Sequence, residues 1–193
     1  MVSCTEIYSF DKEGNASQVS EIKNAFRGAM AVWIHMEEKH LPPYRPSYVP
    51  GYIPDNKVEE FLRYKPSRCT VIMDDGAMKE IWSLVDNQVV PKNERIVLFT
   101  TFDKCLVRKE ELSAVISAFR DFDAETSLPE QADVLEQLLH DDDCIAVGWN
   151  QTSVNCDTWE KFGYNEANNE FIPYNCLDGE EHYWLFDELN KRN

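Results

Sequence analysis

Apolar positions recur along this chain first at a period near two and then at one near 3.6, and the switch predicts its elements. Residues 3–10 alternate loosely, with Thr5, Ile7 and Phe10 favouring strand. Asp11-Lys12-Glu13-Gly14-Asn15 reads as a turn into a second strand over 16–22, which makes a hairpin. Asn24 is placed to cap a helix whose Phe26, Met30, Trp33 and Ile34 share one face as far as about His40, where Pro42-Pro43 stops it. The pattern then breaks into three copies of Pro-x-Tyr-x, centred on Tyr44, Tyr48 and Tyr52 and closed by Pro54. Prolines at a period of four forbid helix and central strand, so this is a stiff loop, either laid over the body or offering its tyrosines to a partner.

Beyond it, Asp55 to Lys65 predicts a short helix and Cys69 to Met73 a short strand. Asp74-Asp75-Gly76 opens a helix carrying Met78, Ile81, Trp82 and Val85. Arg95 to Thr101 is β-rich, but its pattern also allows helix. Lys104 to Val107 reads as a strand, and Lys109 to Phe122 as a helix with Leu112, Val115, Ile116 and Phe119 on one side. Ser127-Leu128-Pro129-Glu130 has the form of a capping box and starts a helix to about His140. Asp141-Asp142-Asp143 follows, at the negative pole of that helix, where acids are unfavourable. Cys144 to Trp149 is a buried-type strand that runs into a polar loop, and the aromatic tail from Asp157 onward is expected to fold onto the body. Helices and short strands alternate without a βαβ rhythm. The expected class is therefore α+β, one domain over 1–193, with several helices packed on a small, mainly antiparallel sheet.

Length supports that reading. A chain of 193 residues buries roughly 70% of its unfolded surface and needs no disulfide or metal staple. No apolar run reaches the length of a membrane span, and the first ten residues do not read as a signal peptide. The expected location is the cytoplasm.

Charge changes the picture more. Net charge is −16, and it is unevenly placed. Residues 1–120 hold 16 basic and 17 acidic groups, a net of −1, whereas 121–193 hold 3 and 18, a net of −15. Such a chain is repelled by nucleic acid and anionic membrane and attracted to basic surfaces. If the acids share a face, their charge matches roughly 25 Å of duplex at one charge per 1.7 Å.

The chemistry-bearing residues are sparse. Six cysteines form no CxxC, and no His stands at zinc-finger spacing from a pair. Cys4, Cys69, Cys105 and Cys144 sit among apolar residues as core thiols, which leaves Cys156 and Cys176 as the ones to test for reactivity. A nucleophile–base pair of either with His140 or His182 has no local signature to support it. Neither an EF-hand, HExxH, Walker A, GxGxxG nor GxSxG pattern occurs, so no catalytic residue, metal set or cofactor is assigned. The densest polar cluster is Asn150, Gln151, Thr152, Ser153, Asn155, Cys156 and Asp157, a loop of amides and hydroxyls after a strand. It is a candidate ligand site, although the same residue types are ordinary turn formers.

Three stretches carry a resemblance: Cys4-Thr5-Glu6-Ile7-Tyr8, Asn24-Ala25-Phe26-Arg27-Gly28-Ala29-Met30-Ala31, and Ala146-Val147-Gly148-Trp149-Asn150-Gln151-Thr152-Ser153 with Asp157-Thr158-Trp159. Together they resemble a family of small acidic proteins of phages and mobile elements. That resemblance implies a mobile-element setting inside a bacterial host cell, where small acidic proteins look like inhibitors of host defence, anti-CRISPR proteins among them. It transfers no functional residue.

The reading that joins charge and resemblance is a binding protein, not an enzyme, that is expected to occlude the basic nucleic-acid-binding surface of a partner of the defence-nuclease kind. Its expected contacts are Asp141, Asp142, Asp143, Glu180, Glu181, Asp187 and Glu188, with Tyr44, Tyr48 and Tyr52 as aromatic contacts. The alternative is a small-ligand binder or enzyme centred on the Asn150–Asp157 loop.

Overall fold

In the computed structural model, residues 3–41, 49–58, 60, 75–152, 154, 159, 163–172, 174–178 and 182–191 are described. The expected strand over 69–73 and most of the helix expected over 55–65 lie outside them. What is described of that helix is a 3-10 turn, Asp55–Lys57, followed by the buried Val58.

The class is α+β. The strands are β1 (Cys4–Phe10), β2 (Ala16–Lys23), β3 (Cys105–Arg108), β4 (Ala146–Gln151) and β7 (Tyr183–Trp184), in the sheet order β2-β1-β4-β3-β7. All neighbours are antiparallel except β3 and β7. A small hairpin, β5 (Gly163–Asn165) with β6 (Glu170–Ile172), stands apart. Six α-helices are described: α1 (Ala29–His40), α2 (Asp75–Asp86), α3 (Lys92–Phe102), α4 (Leu112–Arg120), α5 (Leu128–Leu139) and α6 (Leu185–Lys191).

Side chains alternate across a strand, so each strand feeds two faces. One face carries Ile7, Ile22, Cys105, Val107, Val147 and Trp149, and all six helices cover it in a single hydrophobic cluster. The other carries Tyr8, Phe10, Leu106 and Ala146, and the aromatic tail covers it with Trp159, Tyr174 and Cys176. Phe10, Trp159 and Tyr174 meet edge to face, with centroids 5.2–6.0 Å apart. Gly148 makes this possible. A Cβ there would lie 2.8 Å from Trp159 Cε2 and 2.9 Å from Leu106 Cδ2, so only glycine lets the indole rest on the strand.

The β-rich segment over 95–101 is helix α3. Pro91 precedes its first turn, and Glu94 through Thr101 are all buried. Packing on every side overrides the local strand preference. Thr100 Oγ1 donates back to the Ile96 and Val97 carbonyls at 2.9 and 3.2 Å, which satisfies its hydroxyl inside the helix.

Three local expectations are corrected. First, α1 begins at Ala29, after Gly28 and not after Asn24. Ala25 and Phe26 adopt positive φ (41° and 75°), and Phe26 is 57% exposed, so it belongs to a tight turn and not to the helix face. Trp33 and Ile34 are buried as expected. Second, no capping box forms at α5. Ser127 Oγ donates to Asn24 Oδ1 at 2.9 Å, and Glu130 accepts from Arg27 at 2.6 Å. Third, Asn150 and Gln151 are strand, not loop, and both are buried.

Candidate interaction surface

Strand order brings distant acids to one end of the sheet. Arg108 at the end of β3 pairs with Ala146 at the start of β4, and Phe10 at the end of β1 pairs with the same residue. The β1–β2 turn therefore lies beside the 141–145 connection. Lys12 reaches Asp143 at 3.1 Å, and Ile145 N–H donates to the Phe10 carbonyl at 2.8 Å. Asn175 Nδ2 donates to the Glu13 carbonyl at 2.7 Å, which ties the segment ending in Asp178 to the same turn. On the β3 side, Arg108 clamps Asp187 with two bonds, at 3.0 and 2.6 Å, and lies 4.4 Å over the Trp184 ring.

The result is an acidic rim: Asp11, Glu13, Glu110, Asp141, Asp142, Asp143 and Asp187, with Lys12, Arg108 and Lys109 set among them. Asp143 keeps 82% of its side chain in solvent despite its ion pair. Asp141 accepts the Asp143 N–H through its carboxylate, and its carbonyl accepts Lys109 Nζ at 2.6 Å. The run of three acids after α5 is thus a tied turn and not a frayed helix end. Hydrogen bonds from the backbone of Asn15, and from its side chain, hold the Asp11 carboxyl below its usual range. Bonds from Arg108 do the same for Asp187.

Among the described residues, every Asp and Glu from 121 onward is exposed or half-buried. Several are matched by cations from the near-neutral part: Arg27 with Glu130, Arg120 with Asp133 and Glu136, Lys12 with Asp143, Arg108 with Asp187. The sharp division of charge along the chain is therefore softened in space.

Of the other expected contacts, Glu188 is half-buried and faces Lys191 at 3.6 Å. Tyr52 is 80% exposed. Glu180, Glu181, Tyr44 and Tyr48 lie outside the described residues. Sequence reasoning missed Asp11, Glu13 and Glu110, which strand pairing brings to the same end of the sheet as Asp141.

The alternative site divides. Gln151 accepts from Thr5 Oγ1 at 2.7 Å and belongs to a buried network, in which Thr5 and Ser127 both donate to Asn24 and Gln131 donates to Ser127. Thr152 Oγ1 accepts the Cys4 N–H at 2.9 Å. Asn150 Nδ2 donates to Glu6 Oε2 at 2.6 Å on the face away from the helices. Ser153, Asn155, Cys156 and Asp157 lie outside the described residues. Cys176 is not a reactive thiol. It is 3% exposed, and burial pushes its pKa up to about 11. His182 bonds Tyr174 through Nδ1, and burial together with Lys104 lowers its pKa.

An open groove of about 540 Å³ along α2, lined by Met78, Trp82 and Asp86, touches none of these residues. No helix among the described residues is long and apolar enough to cross a membrane. Among them, too, no three His, Cys, Asp or Glu side chains gather as a metal-binding group. In comparisons with known proteins, no family model, no curated protein and no solved structure matches this chain.

Proposed function

We propose that this chain is an acidic binding protein that covers a basic surface of a protein partner with its rim. The observation that supports this reading is the gathering of Asp141, Asp142, Asp143 and Asp187 with Asp11 and Glu13 at one end of the sheet, all at least partly in solvent. Exposed like charges raise the local potential and speed encounter with a surface of opposite sign. In the phage setting that the resemblance implies, the partner is a nucleic-acid-handling defence nuclease, and the rim competes with DNA or RNA for its basic channel.

The test is a nuclease-inhibition assay, with binding measured at low and high salt. Binding should weaken steeply as salt rises, because exposed charges are screened within about 8 Å at physiological ionic strength. Binding that is indifferent to salt would remove the rim as its cause. A second reading, a ligand site around Asn150, is favoured by the unpartnered buried oxygen of that residue.

A further inference from the structure

The first turn of α3 gathers positive charge where a helix least tolerates it. No side chain caps this helix, which follows Pro91, so its leading amides have no partner within it. That end is the positive pole of the helix, and cations there are unfavourable. Yet Lys92 opens the helix and Arg95 stands three positions on, along the same face, where like charges repel. Pro91, Lys92 and Asn93 are exposed, so solvent reaches the pole. The acid in that turn, Glu94, is engaged elsewhere, since Lys39 and His40 of α1 each bond it at 2.5 Å. Asp121 accepts from Asn93 Nδ2 at 3.3 Å. Asn93 is two positions from Arg95, so the two side chains do not face each other.

Arg95 adds an independent observation. It is 5% exposed, and its Nε and Nη1 are buried without an acceptor. Among the described residues no carboxylate forms an ion pair with it, nor with Lys92, whose Nζ lies 5.6 Å over the Phe186 ring. A buried charge without a partner is among the costliest features a fold can hold. Long side chains on a helix lean back toward its N-terminus, which carries the guanidinium toward the uncapped amides. A cation at the positive pole, like charges on one face and a buried charge with no acceptor have a common remedy, an anion bound among them. Two cationic side chains and the pole favour a doubly charged anion over a carboxylate. The several acceptor oxygens of a phosphate match guanidinium, ammonium and amide donors together.

We propose that the start of α3 binds a phosphate group, with Arg95 and Lys92 as its side-chain ligands. The group accepts from the Arg95 guanidinium, from Lys92 Nζ and from the amides of the first turn. The same donors serve free phosphate and the phosphate of a small organic ester. A polyanion is repelled by a chain of net charge −16, so the ligand is small. Binding supplies the counter-charge that Arg95 lacks and fastens the start of α3. The site uses no residue of the acidic rim and does not rest on the partner reading.

The experiment is calorimetric titration of the full chain with inorganic phosphate and with glycerol 3-phosphate, at an ionic strength held constant with NaCl. At least one of the two should bind with a Kd of about 1 mM or tighter, and that ligand should raise the melting temperature. Lys92→Gln, at an exposed position, removes one charge-assisted bond and should weaken binding by about tenfold or more. Arg95→Met keeps an unbranched side chain but no donor, and should abolish both the binding and the rise in melting temperature. Lys12→Gln removes the same charge at the rim and should leave the affinity within about twofold, because distant exposed charges are screened. Circular dichroism confirms that each variant is folded, and Lys92→Gln decides alone if Arg95→Met is not. Tighter binding of glycerol 3-phosphate assigns the site to an organic ester, and the reverse order assigns it to the free ion; either order upholds the proposal. It is overturned if neither ligand binds saturably, if Lys92→Gln or a folded Arg95→Met binds like the parent, or if Lys12→Gln weakens binding as much as Lys92→Gln.

Discussion

The two ends of the sheet spend polar residues in opposite ways. At the rim, Asp141, Asp142, Asp143 and Asp187 stand in water, and their ion pairs with Lys12 and Arg108 are surface pairs. Such pairs contribute about 0–1 kcal/mol each. At the other end, Asn24 (1% exposed), Thr5, Ser127, Gln131 and Gln151 are buried, and they hold one another without any charge. Asn24 also sits so close to Gly28 that a Cβ on that glycine would fall 2.4 Å from Asn24 Nδ2. The first end should therefore tolerate substitution and the second should not. The acidic surface is thus free to vary, while the network that positions β1, β4, α1 and α5 is constrained.

The largest effect should come from the buried end. Asn24→Ala leaves the Ser127 hydroxyl without its acceptor, while Thr5 keeps its bond to Gln151, and should cost about 1–3 kcal/mol, read by chemical denaturation. A loss below about 0.5 kcal/mol, the range of an ordinary surface change, would erase the contrast between the two ends.

The rim should behave the other way round. Reversal of Asp141, Asp142 and Asp143 to Lys changes the net charge by about +6 and should lower partner affinity tenfold or more, about 1.4 kcal/mol, mainly through slower association. Its melting curve should shift little. An unchanged association rate would place the partner contact elsewhere.

Arg108→Met sharpens the comparison at a smaller scale. It breaks the clamp on Asp187, half of whose side chain is in solvent, so the cost at pH 7 should be about 1 kcal/mol or less after screening. The Asp187 carboxyl is held below its usual range in the folded protein. Its contribution is therefore present above the unfolded value and is lost as pH falls through the lower folded value. The parent and Arg108→Met stability curves should converge in acid, and parallel curves would show that the pair contributes nothing.

Histidines test the interior. Burial lowers the pKa of His182, with Lys104 adding to it, and burial lowers that of His35. Below about pH 6.5 the unfolded chain binds protons that the folded chain resists, so stability should decline from there as pH falls toward the folded values. His182→Asn should flatten part of that slope. The smallest signal is chemical: Cys4, Cys105, Cys144 and Cys176 are buried, and they should resist a thiol reagent until denaturant is added.

Much of the fold was legible because it is local. The β1–β2 hairpin announced itself by alternation and an Asp-to-Asn turn, and α2 and α4 by apolar spacing at 3.6. The aromatic tail could be read as a covering layer because Trp159 and Tyr174 had to be buried somewhere. What escaped was pairing. Asn150 and Gln151 look like loop residues until Glu6 and Thr5 stand opposite them as hydrogen-bond partners. Asn24 looks like a helix cap, yet its acceptor oxygen serves Ser127, whose own capping role is lost in the exchange. Asp11 and Glu13 carry no sequence signal that links them to Asp141; only the placement of β1 between β2 and β4 does so.

That placement also governs how the molecule comes into being. β1 pairs locally with β2, but its second neighbour, β4, begins at Ala146, and β3 finds its parallel partner only at Tyr183. During synthesis the first hairpin must wait, with one edge of β1 bare, while more than half of the chain is made. Closing so long a loop is slow, and an unpaired edge invites the wrong neighbour. The lasting vulnerability of this protein therefore lies less in its finished surface than in the interval before β4 arrives to complete the sheet.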